Sequence, residues 1–106
     1  MASTPEKKVK EAVVKILKAR GAYYFYPVMG GYGRSGIPDI VVCYRGRFIG
    51  IECKAGKNQA TALQEAELLK IEKAQGLAMI VSELNVVEVE NLLNTIDNVN
   101  DMKDYR

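Results

Sequence analysis

Apolar positions in this chain recur with a helical period in some stretches and with the shorter period of strands in others, and the alternation predicts seven elements. Val9, Val13, Ile16 and Leu17 form one helical stripe. Ser3 or Thr4 can cap that helix, Pro5 suits its first turn and Gly21 stops it, so Ser3–Arg20 reads as the first helix. Ala22–Val28 is extended and aromatic-rich, the first strand. Met29–Ile37 holds four glycines in nine residues and reads as a flexible loop. Residues 38–44 and 47–54, rich in β-branched and aromatic side chains, flank Arg45-Gly46 and predict a β-hairpin. After a short polar loop, Ala55–Ala60, Thr61 caps a second helix over Thr61–Gln75, with Gly76 as its stop. Leu77–Val81 is a short apolar strand. Asn85-x-x-Glu88 then opens a third helix over Asn85–Ile96, whose Val86, Val89, Leu93 and Ile96 share a face.

The order α-β-β-β-α-β-α, with an antiparallel hairpin and a last strand reached through a crossover helix, predicts an α/β domain. It has a mixed sheet, an αβββαβ core and a C-terminal helix. At 106 residues this is a single domain, taken as 1–97, with 98–106 as a polar tail. No apolar run is long enough to span a membrane. The N-terminus carries no signal-peptide pattern, so the expected location is the cytoplasm.

The chain has two cysteines and no histidine. In the hairpin Cys43 and Cys53 point to opposite faces, which makes a disulfide between them geometrically unfavourable. Without histidine, zinc-hydrolase chemistry, histidine bases and the Ser-His-Asp triad are excluded together. Charge is uneven. Residues 1–82 carry 13 Lys/Arg against 7 Asp/Glu, and residues 83–106 carry 2 against 6. A basic body suits a phosphate-rich partner, although an ordinary solvated surface accounts for the same charges.

The hairpin register brings the chemistry into view. With Arg45 and Gly46 as the two turn residues, Tyr44 pairs with Arg47, and counting outward sets Asp39 opposite Glu52. Cross-strand partners have Cβ atoms about 4.5–5.5 Å apart, where like charges destabilise. A divalent cation is the simplest group to offset that repulsion. The alternative is a pair of solvent-facing strand carboxylates. Lys54, two residues past Glu52, projects from the same face, where it can orient or deprotonate water.

Two helix glutamates compete for a third position. Glu6 lies within about 20° of Val13 and Leu17, whereas Glu11 lies about 160° from Val9 and Val13, toward solvent. Glu6 either completes a Ser3-x-x-Glu6 capping box or points over the sheet at a metal. Gln64 carries the same ambiguity: Thr61-x-x-Gln64 is a capping box, yet Gln64 shares its helix face with Leu68 and Ile71 and so faces the sheet. The Gly30-Gly-Tyr-Gly-Arg-Ser-Gly36 loop offers backbone N–H groups with Arg34 and Ser35 as phosphate donors, or is simply a mobile connection.

Gly36-Ile-Pro-Asp39 followed by Ile51-Glu-Cys-Lys54 resembles the PD-(D/E)xK nuclease signature. Glu6 on the first helix, Gly-Arg-Ser-Gly before Pro-Asp, and Thr61-x-x-Gln64 after the Glu-x-Lys strand narrow the resemblance. It falls on the VRR-Nuc branch, the virus-type replication-repair nucleases, in its short stand-alone form. The resemblance covers about residues 6–82. It implies a restriction-endonuclease-like core in which Glu6, Asp39, Glu52 and the Cys53 backbone carbonyl bind Mg²⁺ or Mn²⁺, Lys54 acts on the attacking water and Gln64 supports the site. It also implies that Arg34, Ser35, Gly36 and Lys57 contact DNA. The implied activity is structure-selective cleavage of DNA, with resolution of four-way (Holliday) junctions by a homodimer in a bacterial or phage-infected cell. Other DNA forms and a non-cleaving binding module are the alternatives. Tyr23, Tyr24, Phe25 and Tyr26 are the candidates for a dimer interface.

Overall fold

The turn at Arg45-Gly46 organises the sheet. Both residues take left-handed backbone, φ 49° and 84°, as a two-residue type I′ turn requires. The register follows from it: Tyr44 pairs with Arg47 and Ile40 with Ile51. The computed structural model describes residues 4–28 and 35–103. Its elements are α1 Pro5–Ala19, β1 Tyr23–Phe25, β2 Ile40–Tyr44, β3 Arg47–Cys53, α2 Ala62–Lys73, β4 Leu77–Val81 and α3 Val87–Lys103. The strands lie in the order β1-β2-β3-β4. β1–β2 and β2–β3 are antiparallel, and β3–β4 is parallel. The expected single mixed α/β sheet is the one observed.

Alternation along the strands divides the sheet into two faces. Ile40, Val42, Tyr44, Ile49, Ile51, Cys53 and Val81 are buried in one cluster with Val9, Val13, Val14 and Leu17 of α1 and Val89, Leu93 and Ile96 of α3. That is the core, and α1 and α3 cover it. α2 packs on the opposite face against β3 and β4. It comes close because Gly50 has no side chain: a Cβ there would lie 2.6 Å from Ile71 Cδ1.

Element boundaries differ from expectation where capping and tertiary bonds decide them. The α1 N-cap is Thr4, whose side chain accepts from the Lys7 N–H. The third helical position is therefore Lys7, and Glu6 is not the partner of a Ser3 capping box; Ser3 itself lies outside the described residues. Gly21, at φ 71°, ends α1 with the Gly21 N–H on the Lys18 carbonyl and the Ala22 N–H on that of Leu17, a Schellman motif. β1 is shorter than Ala22–Val28, because Pro27 has no N–H to extend the ladder. In α2, Gln75 (φ 75°), not Gly76, takes the left-handed position. Gly76 serves by having no side chain, since a Cβ there would sit 2.7 Å from Ile71 Cγ2. Asn85 does not form a capping pair with Glu88; its side chain accepts from the Ser82 N–H at 2.7 Å and donates to the Ile80 carbonyl at 3.0 Å. α3 starts at Val87 and runs on to Lys103, so the expected boundary at residue 97 falls inside a helix.

Residue 97 is itself a tie point. Arg20, at the end of α1, donates to Glu90 at 2.8 Å and to Asp97 at 2.7 Å. Tyr44 donates its hydroxyl to Asp97, and Arg45 reaches Asp97 at 3.1 Å and Asp101 at 3.3 Å. The Tyr44 hydroxyl, ahead of the two guanidiniums, holds the Asp97 carboxyl below its usual range. The acidic C-terminal segment thus partners Arg20 and Arg45 of the basic body, which are engaged here rather than presented to a phosphate-rich ligand.

Candidate metal centre

The carboxylates gather where β2 and β3 run off the sheet. Asp39 stands one residue before β2, and extending the ladder by one step sets it opposite Glu52. Its Oδ2 accepts from the Cys53 N–H at 2.8 Å, which fixes the side chain against the end of β3. Glu6, on the first turn of α1, reaches the same point. One carboxylate oxygen from each of Glu6, Asp39 and Glu52 lies within 4.8 Å of the others. The side chains differ in burial: Glu6 is exposed, Asp39 half-buried and Glu52 only 1% exposed.

Glu52 is the electrostatic focus. Lys54 Nζ lies 3.4 Å from its Oε2, with only 13% of the lysine side chain exposed. The other oxygen, Oε1, is buried with no hydrogen-bond partner among the described residues. Burial, then the neighbouring Asp39 charge, pushes the Glu52 carboxyl up to about 7, against the pull of Lys54. A buried acceptor left without a donor is rare and calls for a reason. Clustered carboxylates repel one another, and a proton, a donor group or a cation has to offset that repulsion. All the side-chain donors are oxygens, the ligand type of hard cations such as Mg²⁺ and Mn²⁺. The residues present therefore fit a hard divalent cation.

The Cys53 side chain takes no part. Its thiol faces the core and burial raises its pKa to about 12, so it is inert. Both cysteines are free. In an extended strand the N–H and C=O of one residue project to the same edge, so the Cys53 carbonyl heads to the side on which its N–H meets Asp39.

Other expected residues fall differently. Gln64 closes a complete capping box: Thr61 Oγ1 accepts from the Gln64 N–H at 3.2 Å, and Gln64 Oε1 accepts from the Thr61 N–H at 2.9 Å. Its amide oxygen is used in the cap and is not directed at Lys54. Gly36, at φ 82°, abuts this cap, where a Cβ would lie 2.6 Å from the Leu63 backbone. Ser35 is exposed, and Arg34 lies outside the described residues. Lys57 is exposed on the β3–α2 loop, a loop pinned by the Gly56 N–H donating to Glu83 at 2.7 Å. Glu11 is not turned wholly away. It is absent from the three-carboxylate cluster but lines a depression of about 500 Å³ that also holds Glu6 and Asp39. Lys10 and Tyr26 line the same depression and were not singled out as site residues from the sequence. Lys10 four residues after Glu6 was the available signal, since that spacing puts both on one helix face. Of the aromatic run, Tyr23, Phe25 and Tyr26 are exposed, while Tyr24 packs on the core.

A mixed sheet with one helix on one face and two on the other, and an acidic trio beside a lysine at the sheet end, defines an α/β domain built around a candidate cation site. Among solved structures, a chain described as a VRR_NUC domain matches with a TM-score of 0.68 and 22% identity, over 87% of this chain and 97% of its own length. This chain therefore shares the fold of that VRR_NUC domain, in line with the fold its sequence resemblance implies. No family model and no curated protein matches the sequence.

Proposed function

We propose that this protein is a metal-dependent endonuclease that cuts branched DNA, four-way junctions in particular, as a homodimer. One observation carries the reading: the Glu6, Asp39 and Glu52 oxygens converge beside Lys54, at the sheet end of a fold shared with a VRR_NUC domain. Glu6, Asp39, Glu52 and the Cys53 carbonyl would hold Mg²⁺ or Mn²⁺. When bound, the cation supplies Lewis-acid polarisation of the scissile phosphodiester and charge compensation for the departing oxygen.

The chain's own residues do the rest. Asp39 is oriented by the Cys53 N–H, so its carboxylate is set before any ligand arrives. Lys54 is nearly enclosed and paired with Glu52; it positions the attacking water and takes or returns its proton, as a partly buried lysine can. Water adds to phosphorus and the ester oxygen leaves, so no oxidant or further reactant is needed. Gln64 acts indirectly, holding the start of α2 against Gly36. A C2 dimer would present two such sites to the two strands of a junction, with the exposed Tyr23 and Phe25 as interface candidates.

The test is incubation of end-labelled four-way, flap, single-stranded and linear duplex DNA with Mg²⁺, Mn²⁺ or EDTA, alongside the molar mass in solution. Paired, symmetric, metal-dependent cuts in the junction by a dimer support the proposal. Cleavage confined to flap, single-stranded or linear DNA would replace its substrate. Binding without cleavage in any metal would leave a nucleic-acid-binding module and reject the enzyme.

A further inference from the structure

A phosphodiester carries one negative charge and has to approach three carboxylates. A divalent cation and Lys54 together offset the trio's three charges and leave nothing for the strand's own charge, so a further protein cation near the trio would help to receive it. Lys54 is enclosed and already set against Glu52, and Arg20 and Arg45 are held by the acidic residues of α3. The depression beside the trio offers others. It is about 500 Å³ and includes Lys7 and Lys10 of α1, with Tyr26 forming part of its wall.

Lys10 is the better placed of the two. Lys7 is exposed, whereas Lys10 is half-buried, with its ammonium 5.6 Å from the centre of the Tyr26 ring. Such a contact holds a cation without neutralising it. Among the described residues Lys10 forms no ion pair, although Glu6, four residues earlier, is the spacing that favours one. The Tyr26 ring is in turn fixed edge-to-face against Tyr24 at 6.1 Å, and Tyr24 packs on the core. Core, Tyr24, Tyr26 and Lys10 thus form a stack that keeps one charged ammonium in place beside the Glu6 and Asp39 carboxylates.

Resting on the nuclease reading, we propose that Lys10 and Tyr26 form a strand-binding subsite. Lys10 takes a phosphate oxygen next to the scissile position, and the half-exposed Tyr26 ring packs against the adjoining nucleotide. Aromatic rings of this kind accept any base, because every base has a π-face. These two are positioning residues; the reacting atoms belong to the carboxylate trio and Lys54.

The experiment measures binding of a fluorescein-labelled four-way junction by anisotropy in Ca²⁺ across a series of NaCl concentrations, for wild type, Lys10→Met, Lys10→Arg and Tyr26→Ala. Mn²⁺ affinity is measured separately on DNA-free protein by electron paramagnetic resonance. Loss of one phosphate contact should make the negative slope of log K against log[NaCl] shallower by about 0.7–0.9. Lys10→Met should show that loss together with roughly threefold to tenfold weaker binding, about 0.6–1.4 kcal/mol at 1.4 kcal/mol per tenfold. Lys10→Arg should restore both, Tyr26→Ala should weaken binding, and Mn²⁺ affinity should stay within about twofold of wild type in all. An unchanged salt slope in Lys10→Met with altered Mn²⁺ affinity would make Lys10 a mere counter-charge for Glu6 and overturn the subsite while leaving the nuclease reading intact. A wild-type protein that binds no DNA would overturn both.

Discussion

Glu52 is a carboxylate that the fold tolerates only with help. Its folded-state pKa is raised from 4.5 to about 7, by burial first and Asp39 second. Between those two values the folded protein holds a proton that the unfolded chain has released, so stability falls as pH rises through this window. The span corresponds to roughly 3 kcal/mol. Glu52→Gln removes the ionisable group and keeps the shape. The metal-free variant should therefore be more stable than wild type at pH 8 and nearly equal to it at pH 4.5, as read by urea midpoints. A metal-free Glu52→Gln protein that is less stable at pH 8 would mean that Lys54 compensates Glu52 fully. The helix glutamates give a second comparison. Glu6→Gln should abolish metal-dependent cleavage and weaken Mn²⁺ binding, because its oxygen is one of the converging three. Glu11→Gln, at the rim of the same depression, should change either by less than about threefold, the scale of one exposed charge pair. Inactivity of Glu11→Gln with an active Glu6→Gln would reverse the assignment.

Among the elements, the hairpin was the part most legible from sequence. A two-residue turn with a glycine fixes the register of both strands, and register alone sets Asp39 against Glu52. The local capping pattern at Thr61 was equally legible. Features decided by contacts between distant segments were not. A Cβ at Gly76 would meet not only Ile71 in the same helix but also the Phe48 carbonyl of β3 at 3.3 Å, a contact the local sequence does not reveal, and the stop signal at Gly76 lies one position after the left-handed Gln75. The length of α3 was hidden for the same reason. Residues 98–103 are mostly polar, with Val99 and Met102 exposed, yet Asp101 and Asn100 reach Arg45 and its carbonyl on the hairpin turn. The α2 terminus supplies a paired test. Gln75→Gly should stabilise by up to about 1 kcal/mol, because glycine adopts the left-handed conformation without strain. Gly76→Ala should destabilise by about 1–3 kcal/mol through overpacking against Ile71. Equal effects of the two substitutions on the thermal midpoint would refute this division of labour.

Across the whole molecule, the sheet end holds charges that oppose folding while the opposite end holds charges that support it. Near the hairpin turn, Arg20, Arg45, Asp97 and Tyr44 tie α1, the sheet and α3 together. At the far end, Glu6, Asp39 and Glu52 repel one another, and a cation that binds only the folded state should stabilise it by mass action. Protons compete for the same oxygens, so the gain must depend on pH. At pH 5.5, below the raised Glu52 value, a proton already relieves the repulsion and Mn²⁺ has to displace it. At pH 8 the site is ionised and Mn²⁺ relieves the repulsion directly. Millimolar Mn²⁺ should therefore raise the melting temperature several degrees more at pH 8 than at pH 5.5, as about 1 kcal/mol shifts a domain of this size by roughly 4–8 °C. In Glu52→Gln the difference between the two pH values should largely vanish, because the group responsible no longer titrates. Equal Mn²⁺ shifts at both pH values in wild type would show that the cation binds away from Glu52, and the converging carboxylates would then have to be explained without a metal.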